Sequence, residues 1–432
     1  MAEKIYEFGF GDAVIKLALP EEKVIYEIEG RSVPAITDIN EAVKAALRNP
    51  IDSPPLTEVV KPGDKVVIVV SDITRAWGKF DQFLPTLLDE INAAGVPDSD
   101  IDIVISLGSH RPHTQHEDKV VCGESVCHRV KIHQHDANDP EKLVYTGTTS
   151  RGVKCYLNKT VAQADKVILT GGIVYHLMVG FGGGRKSIIP GVSGYTTIQD
   201  NHCFTLHPEV GKGLNPECAS GKLVGNPAHE DMLEATAFAK PAFLLNAVFT
   251  PEGKFAKFFA GHWLKAWEIG TKAVEEIYGI PIDAQADLVI ASAGGFPKDI
   301  NLYQGSKSID NAYMAVKTGG VVICFLECRD IYEPPEFSDW FKYENMLELE
   351  LALRKAFTVP GFIALKLSDI ARKVSLIIVT KPENAEFIKN AGMIPATTAE
   401  EAMAIAKEKL GREDYTITVM GHAANTVPLL KV

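Results

Sequence analysis

The stretch KVVIVVSD, residues 65–72, holds five consecutive β-branched aliphatic residues, Val66 to Val70, and stops at Ser71 and Asp72. A run with no polar alternation reads as a strand buried on both faces, as in a parallel sheet covered by helices. The same grammar recurs in DIVISLGSH (residues 102–110), KVILTGGI (166–173), LVIASAGG (288–295) and VVICFLE (321–327). Between such runs lie amphipathic segments such as residues 83–94, which stop before Gly95 and Pro97 as helix punctuation requires. The fold class that follows is α/β: two α/β domains with mainly parallel sheets and the active site in the cleft between them.

A chain of 432 residues is too long for one ordinary core. The change of pattern near Gly279, Ile280 and Pro281 puts the boundary at residues 1–280 and 281–432. The tail, from Tyr415 to Met420 and on through GHAANTVP, reads as a further strand that can pair with either domain. With 46% hydrophobic and 23% charged residues, each part can bury a full core.

Several function classes are excluded at this level. A net charge of −12 without a Lys/Arg run gives no basic face for nucleic acid. No apolar stretch approaches the roughly 20 residues that a membrane helix needs. The opening MAEKIYEFGFGDAVIKL alternates like a strand and lacks the apolar core of a secretory signal. Seven scattered cysteines, an odd number, read as reduced thiols. Together these point to a soluble cytoplasmic enzyme.

In parallel sheets ligands bind beyond the carboxyl ends of the strands, so the loops after the apolar runs are where chemistry is sought. The densest is GGIVYHLMVGFGGGRKSIIPGVSG, residues 171–194. Glycine at this density permits positive φ and close backbone approach to a phosphate or cofactor. It is neither a P-loop nor a dinucleotide fingerprint, because Arg185 stands where each requires glycine. Lys186, in a partly dry loop, can lose its proton and serve as nucleophile or attachment point, although most lysines are solvated surface charges. His110 follows one strand-like run and His176 another, where one histidine can take a proton and the other give it.

The segment Ser71-Asp72-Ile73-Thr74-Arg75 offers hydroxyls and backbone N–H groups for a phosphate and a planar fork for a carboxylate. An ordinary helix cap at Asp72 explains part of it equally well. His110, His113, His116, His128, His133 and His135, with Cys122 and Cys127 among them, raise a structural zinc site, but their spacing matches no zinc motif. In GGFPKDINLYQGSK, residues 294–307, Gln304 and Lys307 stand one helical turn apart and can hold a small anion.

Taken in order, SDITR, GSHRP, YHxxxGFGGGRKSIIPG, DNH and YQGSKS resemble the lactate racemase family, the nickel-pincer nucleotide enzymes, over about the middle half of the chain. The resemblance implies a pyridinium-3,5-bisthiocarboxylic acid mononucleotide that grips nickel and is covalently attached at Lys186, with His202 as the protein ligand to the metal. It further implies His110 and His176 as acid-base catalysts and Asp72, Thr74 and Arg75 as cofactor contacts. Arg75, Tyr303, Gln304 and Lys307 would bind the substrate, a small 2-hydroxyacid, and cofactor-synthesis proteins would be partners. Family members carry a tryptophan near the cofactor in the second domain, and the stretch Pro360-Gly361-Phe362-Ile363 has none. The expected activity is racemisation of lactate by hydride transfer. Alternatives are a racemase or epimerase of malate, a longer hydroxyacid or a sugar acid, a non-catalytic nickel or cofactor carrier, and an ordinary NAD-dependent dehydrogenase.

Overall fold

A computed structural model describes residues 2–431. The chain divides into two compact units, one of residues 32–205 and 216–277, the other of residues 1–31, 206–215 and 278–432.

In the first unit Val66–Ser71 is central to a six-stranded sheet. Its neighbours run, from one edge to the other, Phe255–Gly261, Pro241–Phe249, Lys166–Gly172, Val66–Ser71, Ile101–Ser106 and Lys131–Gln134. All pair in parallel except Phe255–Gly261 against Pro241–Phe249. Val66, Ile68 and Val70 face one core cluster with Ile101, Ile103, Ile105, Phe243 and Leu245, and helix residues such as Leu84, Leu87 and Leu88 close over it. The intervening Val67 and Val69 are buried as well, which is why the run shows no alternation.

Strand order in this sheet reverses between Val66–Ser71 and Lys166–Gly172, because the chain proceeds outward one way after the first and the other way after the second. At such a switch point the loops leaving the carboxyl ends diverge and open a crevice. Those loops are SDITR and the glycine-rich stretch, with GSH leaving the next strand along.

The second unit holds an all-parallel six-stranded sheet in the order Ile394–Ala396, Ser375–Val379, Val316–Phe325, Ala286–Ser292, Ile417–Met420, Val24–Glu27. This corrects the division at residue 280 for the start of the chain. Residues 1–31 do not belong with the first domain, because Val24–Glu27 hydrogen-bonds alongside Ile417–Met420 as the outer strand. The same pairing places the C-terminal strand in this unit, beside Ala286–Ser292. Residues 206–215 also leave the first unit: the buried Glu350 carboxylate accepts the Gly211 and Gly213 N–H groups while Arg354 clamps it from within its own helix.

Candidate active site

Asp72 follows Val66–Ser71 and opens a short 3-10 turn, Ile73–Gly78, yet its carboxylate does not cap that turn. One oxygen accepts the Thr74 hydroxyl at 2.6 Å, and the other meets His110 Nδ1 at 2.5 Å. The helix-cap reading of Asp72 is thereby set aside, since its carboxylate is spent on Thr74 and His110. Burial alone would raise the Asp72 pKa, but the hydrogen bond and charge of His110, the Thr74 hydroxyl and the charge of Arg75 hold it below its usual 3.8. A carboxylate on Nδ1 fixes the ring and turns Nε2 outward, the arrangement in which a histidine moves protons. The His110 side chain is about half exposed and Asp72 is buried, so the reacting edge is accessible while its support is dry.

The glycine-rich loop follows Lys166–Gly172. Tyr175–His176 pairs antiparallel with Gly180–Phe181, and His176 Nδ1 accepts the Met178 N–H at 3.3 Å. Gly183 and Gly184 take positive φ of 69° and 52°, turning the chain into the 3-10 turn Gly184–Ser187. Gly184 N–H donates to the buried Asn246 side chain at 2.8 Å. A Cβ at Gly184 would lie 2.6 Å from the Trp267 ring. Gly184→Ala is therefore expected to destabilise the protein by about 2–4 kcal/mol, from left-handed strain plus overpacking, read as a lowered urea midpoint with unchanged slope.

Arg185, the residue that spoils both nucleotide-binding motifs, points inward. It is 1% exposed, donates from Nε to His229 Nδ1 at 2.8 Å and from Nη2 to the Val179 carbonyl at 2.6 Å, and stacks on Trp267 at 4.0 Å. Trp267 in turn donates to the Gly182 carbonyl at 2.8 Å. Arg185 thus anchors the loop from inside, beside Lys186. Burial first, then the charges of Arg75 and Arg185, push Lys186 down from 10.5 to about 7. Among the described residues no carboxylate pairs with it. An amine in that state is substantially unprotonated at neutral pH and is nucleophilic.

His202 lies on the helix Tyr195–Cys203 and is 4% exposed. Burial, then the charge of Lys186, push it down to about 3, and its ring hydrogen-bonds the Ile198 carbonyl one turn earlier. A neutral imidazole with one nitrogen tied to a backbone carbonyl is the state in which histidine ligates a metal. His176 is held well below its usual value by burial and then by the charges of Lys186, Arg75, Arg185 and His202. These mutual fields tie His176, Lys186, His202 and Arg75 into one region at the strand ends. Arg75 Nη1, 3.2 Å from the Thr74 hydroxyl, joins it to the Asp72–His110 pair.

Tyr303, Gln304 and Lys307 lie in the first turns of the helix Leu302–Met314 of the other unit, where Lys307 Nζ donates to Gln304 Oε1 at 3.0 Å. Although Pro360–Ile363 has no tryptophan, the Trp340 indole sits against Gly361 there. The remaining histidines form no metal centre: among the described residues no three His, Cys, Asp or Glu side chains cluster. His113 is held by Asp118 and Ile73, His133 pairs with Asp102, and His135 bonds the Ser193 carbonyl. Nor is any helix among the described residues long and apolar enough to cross a membrane.

Residues 10–213 match the lactate racemase N-terminal domain, and residues 282–427 match the lactate racemase C-terminal domain. The chain belongs to the lactate racemase family. It is 34% identical over 428 residues, 98% of each chain, to the lactate racemase of Thermoanaerobacterium thermosaccharolyticum. With that of Lactiplantibacillus plantarum it shares 32% identity over 378 residues, 86% of this chain and 87% of the relative. The solved lactate racemase apoprotein from T. thermosaccharolyticum superposes with a TM-score of 0.88 at 32% identity, covering 99% of this chain and all of that one. A Thermotoga maritima protein, 18% identical with a TM-score of 0.62 over 93% of this chain and all of its own, shares the fold. As a member of the lactate racemase family the protein is an isomerase.

Sequence reasoning left several residues of this family member's site unassigned. The support of His110 by Asp72, the inward Arg185, and the partners Asn246, His229 and Trp267 all depend on contacts between distant segments. Only Asn246 leaves a trace, as a polar residue inside the otherwise apolar PAFLLNAVF, residues 241–249.

Proposed function

We propose that the protein interconverts the two enantiomers of lactate by hydride transfer, using nickel gripped by a pyridinium mononucleotide joined covalently to Lys186. The observation that carries this reading is the conjunction of a carboxylate-supported histidine, His110, a lysine, Lys186, that burial and two arginines push down to about 7, and a buried neutral imidazole, His202. The donor set fits the group. Lys186 would hold the nucleotide through its amine, and His202, its ring already bonded to Ile198, would present its remaining nitrogen to the metal, a ligand type that nickel favours.

The C2 proton of lactate is weakly acidic beside an ionised carboxylate, so hydride removal avoids a dianion. When bound, the nickel-pincer nucleotide supplies a site that accepts hydride and returns it. The chain supplies proton handling. His110, through Nε2, takes the hydroxyl proton as the C2–H bond breaks, and Asp72 stabilises the imidazolium that forms. The product is a planar 2-keto acid. After it turns, His110 releases its proton to solvent and His176 relays one from solvent to the forming hydroxyl of the opposite enantiomer, so that no net proton is gained or lost, and in the reverse direction the two exchange roles. Arg75 offers its fork to the substrate carboxylate, and the proposal gives Tyr303, Gln304 and Lys307 its orientation.

The test uses protein from cells that build the cofactor, through cofactor-synthesis proteins. Each lactate enantiomer, deuterated at C2, is supplied in ordinary water and followed by chiral chromatography and mass. Racemised product that keeps its deuterium is expected; loss of the label to solvent overturns hydride transfer. Cofactor binding without turnover would favour a carrier, and turnover of malate or a longer hydroxyacid but not lactate would move the substrate.

A further inference from the structure

The loop bearing His110 continues into the helix Gln115–Cys122, capped by Thr114 and Glu117, and Gly123 at φ 87° breaks it from the next helix, Glu124–Arg129. Across the break the two helices touch, and the thiols of Cys122 and Cys127 lie near enough to act on each other. Cys122 is buried in the core cluster, whereas Cys127 is part-exposed at its rim. The Cys122 thiol first, and the charge of Lys119 nearby, draw Cys127 below the usual thiol range against the opposing effects of burial, Asp118 and Glu124. Cys324 and Cys328 differ, since burial pushes both thiols up.

We propose that Cys122 and Cys127 form a redox-active dithiol, which a small-molecule disulfide oxidises to an intramolecular disulfide that disturbs the support of the His110 loop. Cys127 Sγ, as thiolate, attacks one sulfur of the small disulfide, and a small thiolate leaves and takes a proton from water. The buried Cys122 thiol then attacks the Cys127 sulfur of the mixed disulfide and passes its proton to the second small thiolate as that group is expelled. Two protein thiols are oxidised and one small disulfide is reduced to two thiols.

The route to His110 is a chain of hydrogen bonds. In the reduced state Cys127 Sγ–H donates to the Asp118 carbonyl at 3.6 Å. The Asp118 carboxylate meets His113 Nδ1 at 3.0 Å and accepts from Gln134 Nε2 at 3.2 Å. His113 Nε2 then accepts the N–H of Ile73, next to Asp72, at 2.8 Å. Closing the disulfide removes the first donor and draws the end of the helix Gln115–Cys122 toward Cys127. The dependence of activity on this chain rests on the proton-handling role proposed for His110; the covalent step does not.

Holoprotein is incubated with oxidised glutathione and mapped by peptide mass. Wild type is expected to lose two hydrogens in the peptide holding both cysteines, and Cys122→Ser to accumulate a stable glutathione adduct on Cys127. Cys127→Ser is expected to show no change at Cys122. Wild type that ends with a stable adduct on Cys127, or with both thiols untouched, overturns the dithiol. Racemisation by the oxidised wild type is expected to fall at least about tenfold and return with dithiothreitol, while Cys127→Ser keeps its rate in the oxidant. Full activity in protein shown to carry the disulfide overturns the link to His110 and leaves the proposed reaction standing.

Discussion

Lys186→Met is expected to give a folded protein with no covalent nucleotide and no measurable racemisation, and in its apo form one more stable than the wild type at neutral pH. The last result follows from the state of the lysine. Burial and two neighbouring arginines push its pKa from 10.5 to about 7 with no carboxylate in compensation. In the unfolded chain the amine regains its ordinary value, so between pH 7 and 10.5 the unfolded state binds more protons than the folded one. Apo wild type must therefore gain stability as pH rises through that window, by up to roughly 1.4 kcal/mol per unit, and carries the full penalty below it. Methionine fills similar space without a charge, which removes the slope and is expected to stabilise at neutral pH by about 1–3 kcal/mol. Urea unfolding of both apoproteins across this range, with intact mass of both holoproteins, makes the check. A nucleotide mass persisting on the variant would count against Lys186 as the attachment point, and equal pH slopes would count against the lowered pKa of its amine.

The candidate site is only partly legible in the sequence. A glycine-rich loop after a buried strand is a local signal, and so is a histidine just beyond a strand end; His110, His176 and Lys186 all came from such patterns. The sheets were legible for the same reason: strands covered on both faces write continuous apolar runs such as Val66 to Val70. Val24–Glu27 is different. Its residues alternate between exposed and half-buried, and its partner Ile417–Met420 lies at the other end of the chain, so nothing local assigns it to the second unit. The contact of Asp72 with His110 joins residues 38 positions apart, so no local pattern announces it. Arg185 carried only negative information in the sequence, as the residue that breaks two motifs, because its partners His229 and Trp267 come from helices far along the chain.

His110→Ala and His176→Ala are each expected to lower racemisation by roughly 10² to 10⁴, the usual worth of a positioned acid or base. Because two enantiomers have equal free energies in water, detailed balance requires each variant to lose kcat/KM equally in both directions. Steady-state rates alone therefore cannot tell which histidine serves which enantiomer. The half-reaction can. If each histidine faces one enantiomer's hydroxyl, a single turnover from lactate to the bound keto acid survives in one variant for one enantiomer and in the other variant for its mirror image. Rapid quench with detection of the keto acid reads that crossed pattern. Asp72→Asn keeps the shape of the carboxylate but cannot stabilise the His110 imidazolium, so it should follow His110→Ala in pattern and lose about 10² or more in rate. A half-reaction lost for both enantiomers in both single-histidine variants would mean that the two rings act as one unit, and the assignment of one to each face would be withdrawn.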